Sequence, residues 1–522
     1  MTGTPVVMDS FAGGIVNRTD AASLADNELQ DAINFVYGED GTLIGRPPIC
    51  VREDAGLEAI TERLRLIKWT VMFSAAQQKA FFPVLVGSSN DGTYVFKEGV
   101  WDRISGAEIE DFVTYGNTNN LIFFPRSAAD FSEKGGTWKY TDASITHDDL
   151  TPPGTTMCVH KERVWLAGDP EFPSRLYYTK ITPDGSANDW EQTSSTTSSG
   201  FIDIAPGNGQ SITKIIEYSD AIVIFKDDST WILSYDGVVS RGQLVQVNNV
   251  IGAQNNQCVV EYENVLFVYH QGRVYAFANG NYEQINKKTR FDGDPNYVSE
   301  YSETIVLSMI GDNLLVRNYD FLYIYSVFTT GWLRWDTDFP VGNFAQRPIF
   351  IGDEIPYFFV SSVDPDDLQI YDFHYTWTAD REEDMDCNIK TKIYDFGVPY
   401  AYKRLFWWGV DAVTNMEIRG IASPISVSFS PTWGEVSAYD WGDLHTWGSL
   451  LVDRPDVISP DYDADAGSTY RRIYKWLKGL RFRQIYFQVL MHANGTSSDG
   501  PVRLASIIPF ITAHETVVKK AS

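Results

Sequence analysis

The chain is 522 residues long, 43% hydrophobic and 14% aromatic, and its 69 acidic and 42 basic residues give a formal net charge of −27. So many apolar and aromatic residues exclude an intrinsically disordered chain, and this length predicts two or three domains. We expect neither a membrane-spanning protein nor one exported by the general secretory route. No apolar run reaches the roughly 20 residues that cross a bilayer, and the N-terminus has no secretory signal pattern.

Residues 1–60 are predicted to form an N-terminal arm that precedes the repeated part of the chain. The stretch FAGGIVNRTDAASLADNELQDAINFVYGEDGTLIGRPP (11–48) contains a Gly-Gly pair, a polar segment, a glycine turn and an Arg-Pro-Pro sequence. Ser23 or Asp26 can cap a short amphipathic helix over residues 23–35. We expect this arm to serve assembly and to contribute little to the stability of the domain that follows.

Alternation of apolar and polar residues dominates residues 61–386 and predicts a series of β-hairpins. Seven such units begin at residues 81, 112, 157, 215, 258, 305 and 349. This spacing is typical of four-stranded propeller blades of about 40–50 residues. We therefore predict an all-β protein with a β-propeller of about six to eight blades. A stacked array of β-sandwiches is the competing architecture.

The character of the sequence changes in residues 387–522, where the candidate strands are longer. A polar stretch rich in glycine and aspartate, residues 430–470, interrupts them. This pattern predicts a separate C-terminal β-sandwich with one long insertion.

The residues that usually carry catalysis or bind metals are scattered along the chain. No two of the seven histidines have metal-ligand spacing, and the four cysteines show neither a zinc pattern nor a disulfide framework. No nucleophile elbow, phosphate-binding loop or metalloprotease helix occurs. We therefore predict a protein that is not an enzyme and that has no cofactor and no metal site.

Alternating aspartates in SPDYDADAGSTYRR (459–472) resemble a calcium-binding loop. Ala466 and Arg472 stand where an EF-hand requires glycine and a bidentate glutamate. We interpret this run as a solvated acidic loop.

The stretch SNDGTYVF (89–96) resembles a degenerate sialidase Asp-box, a hairpin feature that stabilises propeller blades and carries no catalysis. Only one copy occurs, and Thr93 replaces the usual glycine. Glycoside hydrolysis needs two carboxylates about 5–10 Å apart, and the sequence selects no such pair. Asp91 is therefore predicted to be a turn residue.

Three Trp-Gly pairs lie in the insertion, at Trp433, Trp441 and Trp447. Aromatic rings flanked by glycine and carboxylates suit protein docking or sugar stacking. They equally suit a long loop that anchors itself onto its own sandwich. The hypothesis to be tested is that these tryptophans contact a partner protein.

The N-terminal stretch resembles the N-terminus shared by a broad group of bacteriophage virion proteins. The matching positions are Gly13, Gly14, Leu24, Asn34, Gly41, Arg46 and Pro47. Further segments resemble the same group, and they cover 159–190, 219–233, 250–277 and, loosely, 403–405. The resemblance therefore extends over roughly residues 11–335.

This resemblance implies a structural component of the virion tail, similar to nozzle or stopper-like tail tube proteins. Such a protein forms a homo-oligomeric ring, with a hexamer as the expected order, around the DNA exit path. The implied partners are portal adaptor or tail-tube proteins and tail fibres, and double-stranded DNA passes without specific binding. The implied location is the tail of the virion, without membrane insertion. The alternatives are a propeller at the tail tip that binds or cleaves host glycans, and a cellular scaffold propeller.

The acidic charge has two interpretations. It either keeps the protein soluble or forms a wall that does not hold a passing duplex, because tight duplex binding requires basic residues. On the second interpretation, basic residues such as Lys287, Lys288, Arg471 and Arg472 lie at subunit or partner contacts. The acidic turns 292–295, 363–367 and 381–386 then face the DNA, and the predicted channel-lining residues are Asp292, Asp294, Asp366 and Asp367.

Overall fold

A computed structural model describes most of the chain as β-structure. The described residues are 4–5, 7–38, 41–47, 49–51, 64–74, 80–97, 100–116, 121–127, 133–140, 143–193, 197–291, 305–318, 321–336, 341–346, 358–362, 370–373, 379–380, 383–394, 396, 403–413, 418–425, 456–458, 471–482, 484–493 and 503–513. The helices within these ranges are two short 3₁₀ turns, Ala187–Trp190 and Val239–Arg241. None of the described helices is long and apolar enough to cross a membrane.

The N-terminal residues form short strands, and the helix predicted over residues 23–35 is wrong. The strands are β1 (Thr4–Pro5), β2 (Gly14–Ile15), β3 (Glu28–Ile33), β4 (Phe35–Tyr37), β5 (Leu43–Gly45) and β6 (Ile49–Val51). Tertiary pairing overrides the helical pattern, because β3 pairs in parallel with β2 and antiparallel with a strand that begins at Glu383.

Six antiparallel four-stranded blades follow one another in chain order, five as separate sheets and the sixth as the first four strands of a larger sheet. Blade 1 has β7 (Leu64–Ser74), β8 (Ala80–Ser89), β9 (Gly92–Lys97) and β10 (Val100–Ser105); blade 2 has β11 (Val113–Tyr115), β12 (Leu121–Phe124), β13 (Gly136–Lys139) and β14 (Ser144–His147); blade 3 has β15 (Thr156–His160), β16 (Arg163–Ala167), β17 (Arg175–Tyr178) and β18 (Gly200–Asp203); blade 4 has β19 (Ile212–Tyr218), β20 (Ala221–Lys226), β21 (Thr230–Ser234) and β22 (Gln243–Asn248); blade 5 has β23 (Val259–Tyr262), β24 (Val265–His270), β25 (Arg273–Ala278) and β26 (Asn281–Gln284); blade 6 has β27 (Val306–Ile310), β28 (Asn313–Asn318), β29 (Phe321–Ser326) and β30 (Trp332–Trp335).

Blade 7 joins the two ends of the propeller, because one of its strands comes from the N-terminal segment. It contains β31 (Val341–Gln346), β32 (Phe358–Ser362) and β33 (Ile370–Phe373), and β6 completes it by pairing antiparallel with β33. The first strands of neighbouring blades contact one another, as in β15 with β19, and β31 contacts β7 of blade 1. The described strands thus confirm the predicted all-β propeller, with seven blades.

Local sequence explains why the blades form. The second strands of blades 2 to 6 pack between neighbouring blades, so most of their residues are buried and apolar. All six residues of AIVIFK (221–226) are buried. Most predicted hairpin units begin within a few residues of the first strand of a blade. Asp91 lies in the turn between β8 and β9 and accepts a hydrogen bond from the hydroxyl of Ser89, as the turn prediction required.

The last strands build the predicted C-terminal sandwich. They are β34 (Ala379–Asp380), β35 (Glu383–Thr391), β36 (Lys403–Val413), β37 (Ile418–Ile425), β38 (Asp456–Ile458), β39 (Arg471–Phe482), β40 (Gln484–Ala493) and β41 (Arg503–Ala513). One sheet has the order β39-β36-β41-β5-β4, with β1 added to β41. The other runs β3-β35-β40-β37-β38 and continues through β3 into β30 of blade 6.

The sandwich is therefore not separate from the residues that precede it, and residues 1–60 are not a detached arm. A single hydrophobic core contains Phe35 of the N-terminal segment, Leu315 of blade 6, and Ile389 and Ile507 of the sandwich. Phe35 is fully buried in this core. The burial contradicts the expectation that the N-terminal residues contribute little to stability.

Candidate functional site

The residues predicted to form sites lie outside the described part of the chain. These are the partner-contact residues Trp433, Trp441 and Trp447 and the channel-lining residues Asp292, Asp294, Asp366 and Asp367. Both assignments therefore stay predictions. Within the described residues, no group of three or more His, Cys, Asp or Glu side chains is arranged to hold a metal ion. Of the predicted basic contact residues, Lys288 forms an ion pair of 2.5 Å with Glu28 of the same chain.

The N-terminal glycines that resemble the phage motif permit a close backbone approach to blade 6. Gly14 has φ of +63°, and a Cβ atom there would lie 2.5 Å from the backbone nitrogen of Trp332. At Gly331 a Cβ atom would lie 2.7 Å from the carbonyl oxygen of Ala12. Only glycine fits such positions, so Gly14 is explained by packing against β30, whereas a Cβ atom at Gly13 would lie 2.7 Å from the carbonyl oxygen of Asn27.

Asn34 of the same motif is the centre of a buried polar network. It adopts the left-handed conformation, with φ of +64°, which asparagine tolerates better than most residues. Its Nδ2 donates a hydrogen bond of 2.7 Å to the carbonyl oxygen of Asp386 on β35. Its Oδ1 accepts bonds from Nε of Arg46, at 3.0 Å, and from the backbone nitrogen of Asp336, at 2.8 Å.

Arg46 extends this network into blade 6. Its side chain is 1% exposed, its Nη2 donates a 2.8 Å bond to the carbonyl oxygen of Asp336, and its guanidinium lies 5.8 Å from the ring centroid of Trp335. Nε1 of Trp335 in turn donates to the carbonyl oxygen of Phe35 at 2.8 Å. The network therefore fixes the N-terminal segment, the propeller and the sandwich in one arrangement. Hydrogen bonds to charged groups contribute about 1.5–3 kcal/mol each.

The axis of the propeller holds a second buried network, which the sequence analysis missed. Asp111, just before β11, accepts hydrogen bonds from Nζ of Lys68 in blade 1, at 2.9 Å, and of Lys214 in blade 4, at 2.8 Å. Its Oδ2 also accepts the backbone N–H of Met157 in blade 3. Burial alone would raise the pKa of Asp111, but the ammonium groups of Lys214 and Lys68 hold it well below its usual range. One carboxylate thus connects four blades.

Asn256, just before β23, adds the next blade to this arrangement. Its Nδ2 donates to the carbonyl oxygens of Glu110 and Thr155, at 2.8 Å each. Charged and amide side chains therefore occupy this end of the axis. No sequence pattern indicated this network, because Lys68 and Lys214 are 43 and 103 positions away from Asp111 in the sequence.

The opposite end of the axis opens into a cavity of about 540 Å³ between the first strands of blades 1 to 5. Lys68, Glu217 and Glu261 line it. Burial raises the pKa of Glu261, and the nearby charge of Glu217 raises it further. Glu217 also lies 3.0 Å from Nδ1 of His160. The cavity can offer hydrogen bonds and a cationic or acidic contact to a small polar ligand.

A larger cleft of about 900 Å³ lies where the N-terminal segment crosses blades 4, 5 and 6. Arg18, Arg290 and Asp228 line it together with His270 and Phe291. Nε2 of His270 lies 3.6 Å from Asp228, yet burial lowers the pKa of His270, so this imidazole is neutral at pH 7. Guanidinium and carboxylate groups around aromatic rings can bind a polar ligand.

Comparison with known proteins shows similarity of fold alone. No protein-family model matches this sequence, and the search of curated proteins gives no match. Among solved structures, the extracellular domain of a one-component system from B. thetaiotaomicron is similar over 64% of this chain at 13% identity, with a TM-score of 0.42. The chain spans 40% of the length of that domain.

Two further propellers are similar at a comparable level. The WD40 domain of Neurospora crassa Pan2 covers 63% of this chain and is matched over 94% of its own length, at 8% identity and a TM-score of 0.34. A virginiamycin B lyase from Staphylococcus aureus covers 59% of this chain and is matched over 99% of its own length, at 9% identity and a TM-score of 0.37. Likeness at this level carries no information about function.

Proposed function

We propose that this protein is a structural component of a bacteriophage tail that forms a homo-oligomeric ring, a hexamer, around the DNA exit path and connects it to neighbouring tail proteins or fibres. The observation that supports this most directly is the Asn34–Arg46 network. Asn34 and Arg46 belong to the motif that resembles phage virion proteins. Their hydrogen bonds connect the N-terminal segment with blade 6 and with β35. A subunit that holds a pore open needs such fixed joints.

The buried ionisable groups support a structural rather than an enzymatic role. Asp111 is neutralised by two lysines from other blades. Lys226 is fully buried and donates to the oxygens of Ser174, Ile204 and Asn208. The hydrogen bonds of Asp111 and Lys226 therefore connect different elements of the fold.

The DNA would pass through the centre of the ring, between subunits. The axis of each propeller is occupied by Asp111 and its partners and is not the passage. A net charge of −27 disfavours duplex adhesion, because duplex binding depends on Lys and Arg neutralising phosphates. Repulsion between carboxylates and phosphates acts over a Debye length of about 8 Å at physiological salt.

Electron microscopy of the purified chain and of the parent particle tests this proposal. We expect class averages of rings with a central hole in the first sample and a ring of the same order in the tail of the second. A chain that is monomeric in solution and missing from the tail density would contradict the proposal.

The passage itself is tested by replacing Asp366 and Asp367 with Lys and following genome release from assembled particles. Slower and more salt-sensitive release is expected if these residues line the channel. Glu283→Lys on the outer strand β26 is the control, because Glu283 is exposed on the perimeter of its own propeller. Unchanged release with normal assembly would mean that the acidic charge only keeps the protein soluble.

The alternative function is a glycan-binding or glycan-cleaving propeller at the tail tip. The observation that favours it is the cleft with Arg18, Arg290, Asp228 and Phe291, since rings and charged groups together suit sugar recognition. Saturable binding on a glycan array that Arg290→Ala removes would favour this alternative over the ring.

A further inference from the structure

The outer strands of blades 1 to 5 lie at the perimeter of the propeller. In the described part of the chain, β10, β14, β18, β22 and β26 each pair with one neighbouring strand only. The last two blades differ, because β3 covers β30 and Ile49 of β6 is fully buried. An outer strand that pairs on one side presents backbone groups that can pair with another chain, and proteins usually protect such edges with charged residues.

Two of these five strands lack this protection. β10 carries Asp102 and Arg103, β18 carries Asp203, and β26 carries Glu283, whereas β14 and β22 contain no Asp, Glu, Lys or Arg. β22 lies inside the longest uncharged stretch of the sequence, residues 242–260. This is unusual in a chain of which 21% of residues are charged.

Both strands also expose apolar side chains. Val245 on β22 is 55% exposed, and Ile145 on β14 is 38% exposed. All four residues of β14 are exposed, and Gln243, Val245 and Gln246 are exposed on β22. Depletion of charge with exposed apolar residues is the composition of interface cores.

We propose that β22 of one copy pairs, edge to edge, with β14 of a second copy. The occupant that we infer is a second copy of this chain. Copies with a net charge of −27 repel each other over most of their surface, so they can approach most closely where two uncharged edges meet. Two different edges on one subunit make a head-to-tail contact, which closes into a ring, whereas a single self-complementary edge gives only pairs. This inference rests on the proposed ring and names its contact.

The positions of the two strands fit such a ring. β14 and β22 belong to blades 2 and 4, so with seven blades sharing a full turn their edges point about 100° apart around the propeller axis. A closed ring of five or six copies needs contact directions roughly 110–120° apart when the propeller axis runs along the ring axis. Strands of neighbouring blades, or of blades on opposite sides, would fit less well.

Val245→Lys is the test variant, and Val100→Lys is its matched control. Val100 is 59% exposed on the charged outer strand β10, so both variants add one lysine to an outer strand. Mass photometry and sedimentation velocity of the full chain should show self-association at least tenfold weaker for Val245→Lys and unchanged for Val100→Lys. Thermal melting confirms that both variants are folded.

Rescue by charge identifies the strand opposite β22. Ile145→Glu alone should weaken association, and Val245→Lys combined with Ile145→Glu should restore much of it, whereas Val245→Lys with Ile145→Lys should be weakest. Wild-type chain that stays monomeric, or a Val245→Lys variant that behaves as the control does, would overturn the pairing. Rings that persist in Val245→Lys would refute the pairing and leave the ring proposal standing. Open chains that depend on both Val245 and Ile145, without any closed ring, would confirm the pairing and refute the ring proposal, whereas pairs that depend on Val245 but not on Ile145 would refute the pairing.

Discussion

The side-chain oxygen of Asn34 lies 3.0 Å from Nε of Arg46 and 2.8 Å from the backbone nitrogen of Asp336, at a point where the N-terminal segment, the propeller and the sandwich meet. Both side chains are buried, at 5% and 1% exposure. A buried donor that loses its acceptor costs about 1–3 kcal/mol, and more when it is charged. This small polar contact therefore holds three parts of the fold in register.

Asn34→Ala should lower the free energy of unfolding by about 2–4 kcal/mol, because it removes the acceptor of the buried Arg46 and of the backbone N–H of Asp336 and strains a left-handed backbone. Asn279→Ala is the control, since Asn279 also has a positive φ, of +51°, but lies exposed in the turn between β25 and β26. We expect the control to cost about 1 kcal/mol. Urea unfolding measures both, and equal losses would show that the network contributes nothing beyond backbone strain.

Gly14→Ala should destabilise the chain far more than Gly41→Ala. Both glycines have positive φ, but a Cβ atom at Gly14 would collide with the backbone of Trp332, whereas nothing lies within 4 Å of one at Gly41. Backbone strain alone costs about 1–2 kcal/mol, and the collision adds to it. Thermal melting of the two variants checks this; a similar decrease in Tm for both would contradict the close approach to β30.

Asp111→Asn should cost about 3–5 kcal/mol at pH 7, because it leaves Lys68 and Lys214 without their buried carboxylate. Asp149→Asn is the control, because Asp149 is an exposed carboxylate that pairs with Lys134. Asp149→Asn should leave the free energy of unfolding nearly unchanged, because solvent screens this exposed ion pair. Chemical denaturation compares the variants.

The same carboxylate predicts a dependence of stability on pH. The ammonium groups of Lys214 and Lys68 hold the pKa of folded Asp111 below the ordinary aspartate value of 3.8, so its stabilisation is complete above that pH and is lost as the pH falls below it. Wild-type stability should therefore decrease more steeply below about pH 4 than that of Asp111→Asn. Parallel pH profiles of the two proteins would mean that Asp111 is not ion-paired in the folded state.

Phe35→Ala should cost about 3–5 kcal/mol, as large-to-small changes in a well-packed core do. Phe35 is fully buried among residues of blade 6 and the sandwich. Val7, at 52% exposure, serves as the control, and Val7→Ala should change stability by less than about 0.5 kcal/mol. Deletion of residues 1–40 should for the same reason prevent stable folding. A truncated chain with the wild-type Tm would show instead that the segment is a detachable arm.

The sequence by itself determined the blades, because alternation and turn chemistry are local. The buried run AIVIFK (221–226) is a strand in any context that buries both its faces, and the Asp91-Gly92 turn joins two strands that are adjacent in the sequence. The N-terminal motif also included Gly14, Asn34 and Arg46 as matching positions, but it did not indicate what these residues contact.

Only the tertiary structure decided what the N-terminal segment does. ELQDAI (28–33) has the composition of a helix, and it becomes a strand because its backbone partners are supplied by residues 334 and 388–391, hundreds of positions away. The Asp111 network has the same origin: Lys68 and Lys214 are brought together by closure of the propeller. Long-range pairing energies of this kind leave no periodic trace in a sequence, so they emerge only when the chain is folded.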